Sequence, residues 1–136
     1  MNRAEQQVHI AIVDFLRYAL GQTWLVVHVP NEGLRSRIAG GKLREMGMLA
    51  GFPDIMVVGP PMRYAARAEA DGAIPVLVCH FVGFLEVKTD KGKLTPAQEA
   101  FRDECRRSRR PWALCRSIDD AREALREWGV KTKEEK

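Results

Sequence analysis

Cysteine is scarce. The 136-residue chain holds three, Cys79, Cys105 and Cys115, widely spaced and without a Cys-x-x-Cys pair. A sparse, odd set of this kind excludes a disulfide framework and a zinc ribbon, and reads as free thiols in a reducing compartment. Long apolar runs are missing too. Asp14 and Arg17 interrupt the longest apolar stretch near the N-terminus, which has no signal core. No run approaches the roughly 20 apolar residues of a membrane span. The expectation is a cytoplasmic protein with no membrane partner. Internal repeats, linkers, a zinc finger and a helix-turn-helix are all absent from the sequence.

What remains suits one domain over residues 1–129 with a flexible tail at 130–136. The net charge of +4 and the pI near 9.2 fit a nucleic-acid partner without requiring one.

The chemistry gathers on Phe84-Leu85-Glu86-Val87-Lys88. As a strand this puts Glu86 and Lys88 on one face and Val87 on the other. Val76-Leu77-Val78 and Phe81-Val82 precede them and read as a buried strand. Charges at the end of such a run are costly unless paired or ligating. Upstream, Asp54 follows Gly51-Phe52-Pro53 and opens the apolar run Ile55-Met56-Val57-Val58. Neighbouring strands would bring Asp54 beside Glu86, and two close carboxylates repel. A divalent cation resolves that conflict, and Mg²⁺ suits a carboxylate pair because its other ligands are waters and phosphate oxygens. Lys88 beside it would hold a phosphate oxygen or orient a water. Asp with Glu-x-Lys is thus a device for metal-assisted phosphodiester hydrolysis. Singly, Glu-x-Lys reads as a cross-strand ion pair and Pro-Asp as a turn. In order, each on an apolar run, they read as a site.

Taken from the start, Ala4, Val8, Ala11, Ile12, Phe15, Leu16 and Ala19 fall at helical spacing, and Gly21 ends the helix. Glu5 is either a first-turn acid favoured by the helix dipole or a further acid of the site. Trp24 to Val29 is the first strand, closed by a Pro-Asn-Glu-Gly turn that by itself explains Asn31 and Gly33. Leu34 to Met48 carries Arg35, Arg37, Lys42 and Arg44 against Glu45, with a short helix expected from Lys42 to Met46. It is either a solvated face or a phosphate-contacting loop.

Gly59-Pro60-Pro61 should stop the second strand, and Met62 to Pro75 reads as a surface excursion with a short helix at Ala65 to Ala70. The Glu-x-Lys strand runs from Val76 to Lys88, and a polar turn carries Lys91 and Lys93. Thr95, Pro96 and Gln98 form an N-cap, a first helical proline and a capping box. Gln98 also shares a helix face with Phe101 and Cys105, which turns it toward the sheet. The end of that helix is rich in arginine. Trp112 to Cys115 is a short strand, Ser117 caps a last helix that Gly129 ends, and Val130 to Lys136 should fray.

Gly51-Phe52-Pro53-Asp54, Glu86-Val87-Lys88 and Gly92-Lys93-Leu94-Thr95-Pro96-Ala97-Gln98 together resemble the VRR-NUC family, the virus-type replication-repair nucleases of the PD-(D/E)XK superfamily. Glu5 and Asn31-Glu32-Gly33 fit the same pattern, so the resemblance runs from about Glu5 to Trp128. It implies an α/β, restriction-endonuclease-like α-β-β-β-α-β core, a mixed sheet flanked by helices. It implies that Asp54, Glu86 and the Val87 carbonyl hold Mg²⁺ or Mn²⁺, and that Lys88, Glu5 and Gln98 complete the catalytic group. Asn31, Arg35, Lys42, Lys91 and Lys93 would bind DNA.

The activity implied is that of a metal-dependent, structure-specific DNA endonuclease. Stand-alone, phage-type members resemble Holliday-junction resolvases and act as homodimers on four-way junctions, in the host cytoplasm. The alternatives are a non-catalytic DNA-binding protein on a nuclease scaffold, and a flap, nicking or restriction-type nuclease.

Overall fold

The computed structural model describes residues 1–30, 41, 42, 44–65 and 76–135. Helix α1 spans Arg3–Leu20. The Asn2 side chain caps it by accepting the Glu5 N–H at 2.8 Å. Gly21 ends it at φ 79°, a backbone glycine adopts without strain. Ile12, Phe15, Leu16, Ala19 and Leu20 are buried at the spacing of a single apolar stripe.

Among the described residues four strands follow: β1 (Leu25–His28), β2 (Ile55–Ala65), β3 (Val76–Val87) and β4 (Trp112–Cys115). They lie in the order β1-β2-β3-β4. The first two pairings are antiparallel and the last is parallel. A parallel pair needs a crossover, and helix α2 (Pro96–Ser108) provides it. Helix α3 (Ile118–Glu127) follows β4, with Ser117 as its cap. This is the mixed sheet flanked by helices expected of a restriction-endonuclease-like core.

Strand alternation divides the sheet into two faces. Ile55, Val57, Leu85, Val87 and Cys115 pack with Ile12 and Leu16 of α1 and Ala121 and Leu125 of α3. On the other face Phe84 meets Phe101 of α2 at 5.5 Å between ring centroids. The core therefore lies under α1 and α3, and α2 lies on the opposite side.

Three expectations about the chain differ from what forms. Gly59-Pro60-Pro61 does not stop β2, which continues to Ala65. The pairing register shifts between Val58 and Pro61, and β1 reaches only as far as Val58. The prolines thus sit at an irregularity with one edge unpaired among the described residues, where a missing N–H breaks little. For the same reason Met62–Ala65 is strand, paired with Val76–Cys79, where a surface excursion was expected. Residues 66–75, including most of the expected short helix, lie outside the described residues.

Residues 130–135 of the expected tail pack against the domain. Val130 and Thr132 are buried, the Val130 N–H donates to Leu125 at 2.9 Å, and Lys133–Glu135 makes a 3-10 turn. Arg122 of α3 holds it, donating to Glu134 at 2.8 Å while its guanidinium lies 5.0 Å over the Phe15 ring. Of the short helix expected from Lys42 to Met46, residues 42, 44 and 45 are helical and 46 is in a turn.

Candidate active site

The register does the first part of the work. Ile55 pairs with Leu85, so the residue before β2 stands opposite the residue after Leu85: Asp54 faces Glu86. Both are on the α2 side of the sheet. The Asp54 carboxylate accepts the Val87 N–H at 2.9 Å, which fixes it across the strand end. Its carbonyl accepts the Val29 N–H at 2.8 Å, so the β1–β2 ladder reaches one residue beyond the strand.

Glu86 is 1% exposed. One oxygen is well served: Oε1 accepts from Gln98 Nε2 at 2.8 Å and lies 3.5 Å from Lys88 Nζ. The other, Oε2, is buried without a hydrogen-bond partner. Burial pushes the Glu86 carboxyl up to about 8, the neighbouring Asp54 charge adds to the rise, and Lys88 only partly offsets it. Two facing carboxylates, one of them out of water, are stable only with a proton or a cation between them.

Gln98 closes the capping box and faces the sheet at once. Its Oε1 accepts the Thr95 N–H at 2.9 Å, its backbone N–H donates to Thr95 Oγ1 at 3.2 Å, and its Nε2 turns to Glu86. The cap therefore decides which end of the amide faces the acid.

The three elements that carry these groups are locked behind the site. Gly51, at φ 75°, runs against the first turn of α2, where a Cβ would stand 2.2 Å from the Ala97 carbonyl oxygen. Only glycine permits that approach, which sets the Asp54 loop against the helix of Gln98. Phe52, Phe84 and Phe101 then meet edge to face at 5.3–5.5 Å, one ring from each element. Arg116, which no sequence pattern singles out, ties down the next turn by donating to the carbonyls of Thr89 and of Gly92, the latter at 2.8 Å. Gly92 in turn packs on the Lys88 stem.

The remaining expected residues are placed as follows. Glu5 is half-buried in the first turn of α1, and no hydrogen bond or ion pair joins its carboxylate to Asp54 or Glu86. Val87 is buried, with its N–H on Asp54. Lys91 and Lys93 are exposed on the turn after β3, and Lys91 lines a groove with Asn2, Arg3 and Ala4 of the α1 start. Lys42 is exposed and helical. Asn31 and Arg35 lie outside the described residues. Among the described residues no group of three or more His, Cys, Asp or Glu side chains is arranged to hold a metal. A carboxylate pair with an unserved oxygen nevertheless fits Mg²⁺, which keeps waters as its remaining ligands.

No curated protein and no solved structure matches the chain. The family model described as VRR-NUC domain matches residues 3–119. That span covers Asp54, Glu86, Lys88 and Gln98, and the chain belongs to the VRR-NUC family, nucleases of the PD-(D/E)XK type.

Proposed function

We propose that this nuclease is a metal-dependent, structure-specific DNA endonuclease that cuts branched DNA, four-way junctions foremost, as a homodimer. Asp54, Glu86 and the Val87 carbonyl would hold Mg²⁺ or Mn²⁺. When bound, such an ion polarises a phosphate oxygen and lowers the pKa of a water. The observation that carries the reading is Glu86 beside Asp54, with Oε2 buried and served by no donor. Gln98 and Lys88 engage Oε1, which leaves Oε2 as the oxygen to take a cation. Lys88, 12% exposed, keeps its ammonium at the mouth of the site, where it orients the attacking water or offsets charge on the phosphate. Glu5 would complete the setting from α1, binding directly or through water. Lys42, Lys91 and Lys93 are free to meet phosphates, and Asn31 and Arg35 would add to them; such contacts position the duplex without reading bases.

Support for a second copy comes from β1, an edge of the sheet among the described residues. Leu25 is 61% exposed and pairs with Val58, which pairs with Val82, so an apolar row crosses the sheet on the α2 side. A two-fold pair would offer two symmetric sites to a junction.

The test is cleavage of four-way-junction, flap and linear duplex DNA with Mg²⁺, Mn²⁺ or EDTA, beside Asp54→Ala and Lys88→Ala. Paired, metal-dependent cuts in the junction, lost in both variants, are the expected result. Cuts confined to flaps or duplex discard the junction. Tight binding without cleavage in any metal discards the enzyme.

A further inference from the structure

Two histidines stand behind Asp54 on the side away from α2. His28 closes β1, and its Nδ1 lies 3.3 Å from the Asp54 carbonyl oxygen. That oxygen only accepts, so the contact requires Nδ1–H as donor. The same oxygen takes the Val29 N–H at 2.8 Å. The Asp54 peptide is thus held by two donors from the end of β1, while its carboxylate is held by β3 through Val87. His9 of α1, 8% exposed, meets the His28 ring edge-on at 4.6 Å between centroids. It stands one helical turn after Glu5. The helix that carries Glu5 is therefore coupled to the peptide that carries Asp54.

We propose that His28 is a positioning residue for Asp54, acting through the backbone carbonyl, with His9 fixing the plane of its ring. The carboxylate hangs from a peptide whose rotation is opposed on one side by Val29 alone once His28 is removed. A turn of that peptide would move the carboxylate relative to both Val87 and Glu86. The inference deepens the metal-site reading and rests on it for its consequence in catalysis.

The test uses the full chain as His28→Phe, His28→Ala and His28→Asn. Phenylalanine keeps a ring against His9 without a donor. Asparagine puts an N–H where Nδ1 stood. The first readout is hydrogen exchange of the Val87 amide in metal-free protein, which reports the bond to Asp54 directly. The second is Mn²⁺ affinity by calorimetry without DNA.

In His28→Phe and His28→Ala we expect Val87 protection to fall several-fold and Mn²⁺ binding to weaken about three- to tenfold, while the amides of Val57 and Leu85 keep their protection. Asparagine should restore most of both. Equal Val87 protection and equal Mn²⁺ affinity in His28→Phe would overturn the proposal. So would a loss shared evenly by Val57 and Leu85, which is global loosening and not positioning. If the parent chain itself binds no Mn²⁺, the metal reading fails, and the Val87 amide still decides the role of His28.

Discussion

Leu85 and Glu86 are neighbours on β3 and are enclosed to the same degree, at 0% and 1% exposure. They act in opposite directions. Leu85 points into the core beneath α1 and α3, where burying such a side chain stabilises the fold by about 1.5–3 kcal/mol. Glu86 points to the α2 side, where one of its oxygens has no partner and its proton is held up to about pH 8. One strand thus carries the fold on one face and the candidate site on the other. Alternation lets it do so at consecutive positions, because nothing that Glu86 needs conflicts with what Leu85 packs against. Equal burial says little about contribution. What counts is whether the buried atoms are satisfied.

The strongest way to break this comparison is Glu86→Gln. The amide is nearly isosteric and carries no charge to desolvate. Cleavage should fall by about a thousandfold or more, on the order of 4 kcal/mol of transition-state stabilisation. Thermal stability of the metal-free chain at pH 8 should hold or rise. A variant that both unfolds and loses activity would show that Glu86 belongs to the fold after all. Leu85→Ala should do the reverse. Unfolding by denaturant should register a loss of about 2–5 kcal/mol. Whatever remains folded should cut at close to the parent rate. Selective loss of activity in a stable Leu85→Ala would mean that the two faces are not independent.

The separation also has a pH signature. Glu86 is raised from 4.5 to about 8 in the folded chain. Between those values the native state keeps a proton that the unfolded state has released, so stability falls as pH rises, by about 1.4 kcal/mol per pH unit at most. The contribution is whole below pH 4.5 and is lost as pH passes through about 8. Metal-free protein should therefore unfold at lower denaturant at pH 8.5 than at pH 5. Glu86→Gln should remove most of that slope, and Mg²⁺ should flatten it in the parent. A parent profile with no fall over this range would mean that the Glu86 charge is compensated within the chain.

Much of this was legible in the residues. The Glu86/Lys88 face, Asp54 at the mouth of its strand, and the Thr95–Gln98 cap all follow from period and spacing within a few positions. Their convergence is a matter of register, and the Ile55–Leu85 pairing that sets it lies 30 residues apart in sequence.

What the sequence hid is of two kinds. Pro60 and Pro61 look like a stop because local chemistry says so; that the pairing with β1 goes no further along β2 than Val58 is a tertiary fact. Arg116 and His28 act on backbone carbonyls from distant segments, and a carbonyl leaves no mark on the sequence of its partner. The contact of Arg122 with Glu134 is likewise between separate elements, and the sequence of the tail carries no sign of it.

The finest test of the comparison sets two helix caps side by side. Thr95 caps α2 and Ser117 caps α3, each accepting the N–H three residues on, at 3.2 and 3.1 Å. Removing either hydroxyl by alanine should cost about 1 kcal/mol of stability. The two losses should look alike in denaturant unfolding. They should differ in cleavage. Ser117 serves a helix on the core side and touches nothing at the site. Thr95 shares its capping box with Gln98, whose Oε1 is held by the cap so that Nε2 meets Glu86. Losing the hydroxyl frees the first turn of α2 and lets the amide turn its oxygen toward the acid, where oxygen would repel oxygen. Thr95→Ala should therefore slow cleavage by a few-fold, about 1 kcal/mol or less, while Ser117→Ala leaves it unchanged. Matching rates for the two variants would mean that Glu86 orients Gln98 and not the reverse. The direction of control would then run from the strand to the helix.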